Sequence, residues 1–217
     1  MVYNWPFSLQ PFWPSRCLLC ADTGHDGLDL CAACLGELPV NPAPCPVCAL
    51  PLDPVTPSGI PCGHCRFEPP PYRRIRAPYL YAAPLDRLIA AFKFRGNLAA
   101  GRLLGELLVR AVAHHPLPDL ILPVPLHADR LVERGILYAP DYVINAAPQS
   151  GLDRATRQRN IAGAFSWQGQ RPAPARVALV DDVVTTGSTA AAAARTVLRA
   201  GAEHVEIWAL ARTPEGR

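Results

Sequence analysis

Two groups of residues in this 217-residue chain have the types and spacing that binding chemistry requires. The first is an acidic pair, Asp181 and Asp182, followed after two valines by the sequence T-T-G-S-T at residues 185–189. The second is a set of eight cysteines, arranged as four C-x-x-C pairs that all precede residue 66. Hydroxyl groups and a glycine at a helix start favour phosphate binding, whereas paired thiolates favour a soft metal ion.

The acidic pair and the loop form a continuous pattern of strand, loop and helix. Residues 177–180 (VALV) predict a buried strand that the acidic pair ends, and an alanine-rich helix begins after Gly187. Backbone N–H groups at a helix start bind phosphate without a charged side chain, and glycine allows close approach of the ligand. Further hydroxyl donors come from Thr185, Thr186, Ser188 and Thr189.

The carboxylates of Asp181 and Asp182 point to a second part of the same ligand. A carboxylate repels phosphate, but it accepts hydrogen bonds from the two hydroxyls of a vicinal diol. A phosphate and a diol at this separation describe ribose 5-phosphate, and the loop is therefore predicted to bind phosphoribosyl diphosphate (PRPP). The alternative is that Ser188 or Thr189 simply caps a helix. The absence of G-K-[ST] and of G-x-G-x-x-G excludes a Walker loop and a dinucleotide fingerprint.

The cysteines predict two structural zinc sites. With no secretory signal at the start of the chain, paired cysteines favour metal binding over disulfides. Two C-x-x-C turns supply the four thiolates of one tetrahedral zinc. The first predicted set is Cys17, Cys20, Cys31 and Cys34, and the second is Cys45, Cys48, Cys62 and Cys65. A cross-braced pairing remains open, as do His25 and His64 as substitute ligands. Redox-active C-x-x-C is the rival interpretation, but the Pro-rich turns around these pairs argue against it.

Periodicity divides the chain into three parts. Residues 1–16 form an aromatic, Pro-rich tail that either packs on its neighbour or binds a partner, residues 17–68 form the cysteine-rich zinc module, and residues 72–217 follow an α/β pattern. Strands are predicted at 76–82, 119–123, 177–180 and 204–210, and helices at 85–94, 98–113 and 188–200. Strands that alternate with helices predict a parallel sheet with ligands at the carboxyl ends of its strands.

Composition limits the classes of protein to consider. Half of the residues are hydrophobic, which predicts a packed core, and the formal net charge of +3 is too small to identify a nucleic-acid binder by itself. The sequence contains no run of 18 or more apolar residues, so no membrane span is predicted. The first residues lack a basic segment followed by an apolar one, so we expect a cytoplasmic protein.

With these features and several further motifs, the chain resembles the ComF/GntX family, in which a double zinc ribbon precedes a phosphoribosyltransferase-like domain. The further motifs are Lys93-Phe94-Arg95-Gly96, Pro123-Val124-Pro125-Leu126-His127, Arg134-Gly135, Gln149-Ser150-Gly151-Leu152, Arg157 with Arg159 and Asn160, and Trp208-Ala209-Leu210-Ala211-Arg212-Thr213. The resemblance covers most of residues 17–217. It implies a phosphoribosyltransferase-type parallel sheet flanked by helices.

The resemblance also implies roles for individual residues. Asp181 and Asp182 would bind the ribose hydroxyls, and the T-T-G-S-T loop the 5-phosphate. The pyrophosphate loop would consist of Pro123, Val124, Pro125, Leu126 and His127. Contacts to anionic groups of the ligand would come from Lys93, Arg95, Arg157 and Arg159, for which a solvated helix face is the alternative. Mg²⁺ would bridge pyrophosphate and ribose oxygens, since it prefers oxygen ligands.

One segment departs from the family pattern. Family members usually continue from Arg-Gly into Phe-Asn-Gln, a long helix and a strand, whereas here residues 136–146 read ILYAPDYVINA and Gln149 follows almost at once. We therefore expect a helix–strand unit to be missing, with the domain shortened around residues 136–148. These eleven residues resemble a stretch of leucine- and glutamate-type amino-acid dehydrogenases, but no dinucleotide fingerprint accompanies them.

The family is linked to natural transformation, where related proteins help incoming single-stranded DNA. The resemblance therefore implies a protein that binds PRPP or another phosphorylated ribose and assists DNA uptake, with single-stranded DNA and competence proteins as partners and no membrane insertion. An active phosphoribosyltransferase on an unknown acceptor is the alternative. A nucleic-acid-binding adaptor is a third hypothesis, based on the ribbon, Arg73, Arg74 and Arg76, and the arginines at 154–159. An amino-acid dehydrogenase is the fourth.

Overall fold

The structure is a computed structural model that describes residues 15–124, 144–146, 165–169 and 171–214. Its helices are α1 (Ala32–Gly36), α2 (Gly63–Phe67), α3 (Leu85–Arg95), α4 (Leu98–Val112) and α5 (Ser188–Arg199). Its strands are β1 (Arg74–Arg76), β2 (Tyr79–Leu80), β3 (Leu120–Pro123), β4 (Ile144–Ala146), β5 (Phe165–Trp167), β6 (Arg176–Val184) and β7 (His204–Arg212).

The chain divides into two compact units that interleave along the sequence. The first unit joins Met1–Pro39 to Ala82–Leu107, and the second joins Val40–Tyr81 to Leu108–Arg217. Each unit therefore contains one of the two predicted cysteine sets. The boundaries that the sequence predicts at residues 16, 68 and 72 remain predictions.

In the first unit, α1 begins within the pair Cys31-x-x-Cys34, with Cys31 as its N-cap, and α3 buries the face that its periodicity predicts. Leu85, Leu88 and Ile89 are buried on α3. The helix ends at Gly96, whose φ of 61° is the left-handed conformation that glycine adopts most readily. The predicted helix at 85–94 is confirmed with one additional residue.

The second unit is built on a parallel sheet in which β7 and β6 occupy the centre. The strand order is β1-β7-β6-β3, and β2 also pairs with β7. All of these pairings are parallel. Helix α5 lies against the sheet and buries a row of small and apolar side chains, namely Ala190, Ala193, Ala194 and Val197. The predicted α/β fold with a parallel sheet is confirmed.

The prediction of a single strand at residues 76–82 is wrong. β1 ends at Arg76, where this stretch begins, and β2 covers only Tyr79–Leu80 within it; both strands pair with β7. Pro78 separates them and has no N–H to donate to the ladder, so the ladder is interrupted there. The carbonyl of Pro78 instead accepts a hydrogen bond from the backbone N–H of Asn41 at 2.8 Å.

Strand β6 is longer than predicted, and the acidic pair lies inside it. The ladder with β7 continues through Asp181↔Ala209, Val183↔Ala211 and Val184↔Arg212. The partner strand β7 also runs to Arg212 instead of ending at residue 210. Both strands extend because the last residues of each form backbone hydrogen bonds with the other. The periodicity of one strand does not reveal this pairing.

A separate two-stranded antiparallel sheet is formed by β4 and β5. The hydroxyl of Thr196 on α5 donates to the carbonyl of Phe165 on β5 at 3.3 Å. Strand β4 includes three residues of the segment predicted to be shortened. The rest of that segment, residues 136–143 and 147–148, lies outside the described residues.

Candidate functional site

Both cysteine sets have the geometry of a four-thiolate metal site. The four sulfur atoms of each predicted set lie within 4.8 Å of one another. The Sγ atoms of Cys20 and Cys31 are 3.6 Å apart, as are those of Cys48 and Cys62. A tetrahedral zinc with Zn–S bonds of 2.3 Å requires S···S distances of about 3.8 Å. These are two structural zinc sites. The predicted pairing is confirmed, and the cross-braced pairing is wrong.

Backbone N–H groups prepare one thiolate in each set for metal binding. Burial raises the pKa of Cys17, but N–H groups of Cys31, Cys20 and Leu19 donate to its sulfur and hold that pKa at about 6. The same opposing effects leave the pKa of Cys45 at about 7. The ligand turns therefore favour a negative sulfur even before the ion contributes its own charge.

One other thiol of each set, Cys34 in the first and Cys65 in the second, opposes a second negative charge. The pKa of Cys34 is raised well above its ordinary value, chiefly by its contact with the thiol of Cys31, and burial raises the pKa of Cys65. Four thiolates at these distances require a cation, so zinc binding must be coupled to the release of protons.

The two sets differ in burial. In the first set Cys20 is exposed and Cys34 half-buried, whereas all four cysteines of the second set are buried. The second set also belongs to the same core cluster as Tyr72, Val184 and Ala190, which surround the end of β6 and the start of α5. The second zinc site is therefore part of the core of the sheet.

The T-T-G-S-T loop connects β6 to α5 as predicted. Gly187 precedes the first helical residue with φ of 80°, a left-handed conformation. The backbone N–H of Ser188 donates to the Thr186 hydroxyl at 3.3 Å, and the two hydroxyl oxygens are 3.0 Å apart. Thr185, Thr186 and Thr189 are exposed. The loop thus exposes hydroxyl groups beside a helix start, which is an arrangement that suits an anion.

The acidic pair lies on β6 just before this loop. Asp181 accepts a hydrogen bond from the N–H of Asp182 at 2.8 Å, and Asp182 accepts one from the N–H of Val183 at 2.7 Å. Both residues are half-buried. Four residues separate the acidic pair from Gly187, so both carboxylates lie close to the start of α5 along the chain.

The beginning of the predicted pyrophosphate loop reaches the same edge of the sheet. Pro123 on β3 pairs with Val180 on β6, and the N–H of Val124 donates to the Val180 carbonyl at 2.8 Å. Since β3 and β6 are parallel and β3 ends opposite Val180, the start of the predicted loop lies next to the acidic pair. Pro125, Leu126 and His127 lie outside the described residues.

The predicted cationic contacts are placed only in part. Lys93 and Arg95 lie in the last turn of α3, within the first unit, whereas the T-T-G-S-T loop belongs to the second unit. Arg157 and Arg159 lie outside the described residues. Anion binding by these four residues remains a prediction.

Two residues beside the loop were not identified from the sequence. Tyr72 is 6% exposed, and its hydroxyl oxygen would lie 3.3 Å from a β-carbon at Gly187. Arg212 is 5% exposed and donates from Nη1 to the carbonyls of Val184, at 3.2 Å, and Thr185. Arg212 belongs to the family-like motif W-A-L-A-R-T, and the sequence signal for its role is a charged residue at the end of an apolar run, which a buried position must compensate with hydrogen bonds.

Comparison with known proteins agrees with this architecture. The family described as "Double zinc ribbon domain" matches residues 8–66. A protein of Escherichia coli (strain K12) named "DNA utilization protein YhgH" is 35% identical over 229 aligned positions, which cover 92% of this chain and 98% of the relative. "Competence protein F" of Haemophilus influenzae is 31% identical over 232 positions, covering 94% of this chain and 100% of the relative.

This chain belongs to the ComF family. Its ComF relatives are longer in at least one place, because the alignments of 229 and 232 positions exceed the 217 residues present here. Among the described residues, every helix is too short or too polar to span a bilayer.

Proposed function

We propose that this ComF-family protein binds PRPP, or another phosphorylated ribose, and assists the uptake of DNA. The observation that carries the ligand is the junction of β6 and α5, where two carboxylates precede a left-handed glycine and a helix start. The N–H and hydroxyl groups of residues 185–189 would hold the 5-phosphate, and Asp181 and Asp182 would accept hydrogen bonds from the ribose hydroxyls. The sheet would then be of the phosphoribosyltransferase type.

A magnesium ion suits this set of donors. The carboxylates of Asp181 and Asp182 are hard oxygen ligands at the carboxyl edge of the sheet, beside the start of the proposed pyrophosphate loop at Pro123. When bound with PRPP, Mg²⁺ would neutralise the charge of the pyrophosphate. The protein's own contribution is to orient the sugar and its phosphate.

The names of the relatives support the biological part of the proposal. They are called competence protein F and DNA utilization protein, and both names describe the handling of DNA. The groups described at this edge of the sheet account for binding of the sugar and its phosphate, and binding is therefore the function that we propose. Transfer to an unknown acceptor is the alternative.

Isothermal titration calorimetry with PRPP and with ribose 5-phosphate, each in the presence of Mg²⁺, tests the ligand. Asp182→Asn removes a charge that accepts hydrogen bonds from ribose and should weaken binding roughly 10-fold or more, because a hydrogen bond to a charged group contributes about 1.5–3 kcal/mol. Glu203→Gln is the matched control, since Glu203 is exposed just before the amino end of β7. Equal affinity of the parent and Asp182→Asn would exclude this role for the acidic pair.

A groove beside β1 favours contact with single-stranded DNA as a second activity. It encloses about 260 Å³, and its lining includes Arg74, Arg76 and His115 together with several prolines. Arg74 and Arg76 both pair with the single carboxylate of Glu206, at 3.5 and 2.9 Å, so one positive charge remains uncompensated within this group. Exposed Arg73 precedes them. Such a groove suits a phosphate backbone.

Fluorescence anisotropy with a labelled oligonucleotide at several salt concentrations tests this groove. Arg74→Gln should weaken binding, because one phosphate contact is lost. The slope of log Kd against the logarithm of the salt concentration should fall by about one. Arg102→Gln removes the same charge from an exposed ion pair on α4 and serves as the control. Binding that does not depend on salt would argue against backbone contacts.

A further inference from the structure

A buried arginine connects the second zinc site to the T-T-G-S-T loop. Arg212 Nε donates to the carbonyl of Cys48, a zinc ligand, at 3.1 Å. Its Nη1 donates to the carbonyls of Val184, at 3.2 Å, and Thr185, the first residue of the loop. A further bond from Nη1 reaches the carbonyl of Thr213 at 2.8 Å.

These bonds hold two distant parts of the chain in one arrangement. Cys48 and Arg212 are 164 residues apart in sequence, and Arg212 is 5% exposed. A buried guanidinium is stable only when its N–H groups are satisfied, and here the acceptors are backbone carbonyls whose positions are set by their own segments. Displacing the carbonyl of Cys48 therefore disturbs the same side chain that holds Val184 and Thr185.

Tyr72 provides a second connection between the same two places. Its hydroxyl faces Gly187, where an added β-carbon would lie 3.3 Å away. Tyr72 and the four cysteines also belong to one core cluster with Val184. The turn of the loop thus rests against a side chain adjacent to the zinc site.

Cys48 would transmit restraint from zinc to these connections. The carbonyl of Cys48 that accepts from Arg212 and the sulfur that would bind zinc belong to one residue, so a bound ion would restrain that carbonyl. The N–H of Ile75 on β1 also donates to the carbonyl of Val47 at 2.7 Å, which attaches the ligand turn to the sheet. The first cysteine set lies in the other compact unit, and none of these bonds involves it.

We propose that zinc at the second four-cysteine site, acting through Arg212 and Tyr72, holds the end of β6 at Val184 and the T-T-G-S-T loop in the conformation that binds phosphate. Arg212 and Tyr72 are positioning residues in this account, because they contact the loop backbone and not the ligand. This inference rests on the proposed function for its ligand, phosphorylated ribose. It predicts that the two zinc sites have different effects on ligand binding.

Two cysteine variants separate the sites. Cys65→Ser disrupts the second set and Cys20→Ser the first, and zinc analysis should find one ion fewer in each. Hydrogen–deuterium exchange of residues 184–188 should become at least 10-fold faster in Cys65→Ser and change less than 2-fold in Cys20→Ser. Ribose 5-phosphate affinity should follow the same order. Equal loop exchange in the two variants would overturn the proposal.

Arg212→Lys tests the connection with both zinc ions in place, and covers the case in which Cys65→Ser does not fold. Lysine keeps the charge but has a single nitrogen, which cannot span the carbonyls of Cys48 and Thr185 together. We expect two zinc ions per chain, faster loop exchange and at least 5-fold weaker ribose 5-phosphate binding. Loop exchange equal to that of the parent in this variant would also overturn the proposal.

The exchange measurement distinguishes this inference from the proposed function. If the parent protein does not bind ribose 5-phosphate or PRPP, the proposed function fails, and the exchange rates of the loop still report the connection. If the parent binds the ligand and loop exchange is insensitive to Cys65→Ser and Arg212→Lys, the proposed function stands and the connection is wrong.

Discussion

At the scale of single residues, the carboxylate of Glu206 links the edge strand β1 to its neighbour β7. Glu206 on β7 accepts from Arg76 at 2.9 Å and from the indole N–H of Trp208 at 3.4 Å, and Arg74 lies 3.5 Å away. Burial raises the pKa of Glu206, but these donors, led by Arg76, outweigh it and hold the pKa below its ordinary value. The carboxylate is thus more stable in the folded protein than in the unfolded chain.

A depressed pKa makes this contribution dependent on pH. It is fully present above the unfolded pKa of about 4.3 and is lost as the pH falls through the folded value. Glu206→Gln should therefore lower the free energy of unfolding at pH 7 by about 1 kcal/mol, and the difference should shrink in acid. Urea unfolding at pH 7 and at pH 3 measures this. Glu203→Gln, at an exposed position, should show no such change, and a difference independent of pH would contradict the assignment.

At the scale of elements, the junction between β6 and α5 depends on Gly187. Its φ of 80° is unfavourable for other residues, and an added β-carbon would lie 3.3 Å from the Tyr72 hydroxyl. The sequence T-T-G-S-T predicts this junction, because glycine and hydroxyl residues before an alanine-rich helix have few other roles. It does not predict the tyrosine, which comes from a segment more than a hundred residues earlier.

Gly187→Ala should lower the free energy of unfolding by about 1–2 kcal/mol, since a left-handed conformation is strained for alanine. It should also weaken ribose 5-phosphate binding by disturbing the loop. Gly105→Ala is the matched control, because Gly105 is exposed within α4 and a β-carbon there meets nothing within 4 Å. That variant should gain about 0.5–1 kcal/mol from helix propensity. Equal stabilities of both variants, measured by thermal unfolding, would contradict the role given to Gly187.

The positions of strand ends were less predictable than the presence of strands. Residues 177–180 and 204–210 are apolar enough to predict strands, but the continuation of β6 through Asp181 and Asp182 depends on pairing with β7. Polar residues do not contribute to the hydrophobic alternation that predicts a strand. Whether they extend a strand depends on pairing with a neighbouring strand. The division of residues 76–82 at Pro78, in contrast, follows from the missing N–H of proline and was open to prediction.

At the scale of the whole molecule, the cysteine sets could be predicted from spacing, but their surroundings could not. Local turns determine which sulfurs meet, and C-x-x-C places two ligands within a few residues. The burial of the second set in the core of the sheet depends on contacts with β1 and β7. Likewise, Arg212 became a candidate only when the structure placed it beside Cys48, 164 residues away in the sequence.

The position of β7 in the sheet has a consequence for the synthesis of the protein. β1, β2 and β6 all pair with β7, and β7 follows every other described strand along the chain. On the ribosome, both cysteine sets are translated and able to take up zinc before the strand that unites the sheet exists. A nascent or prematurely terminated chain would thus expose the apolar faces of β6 and α5, and such surfaces attract chaperones and proteases.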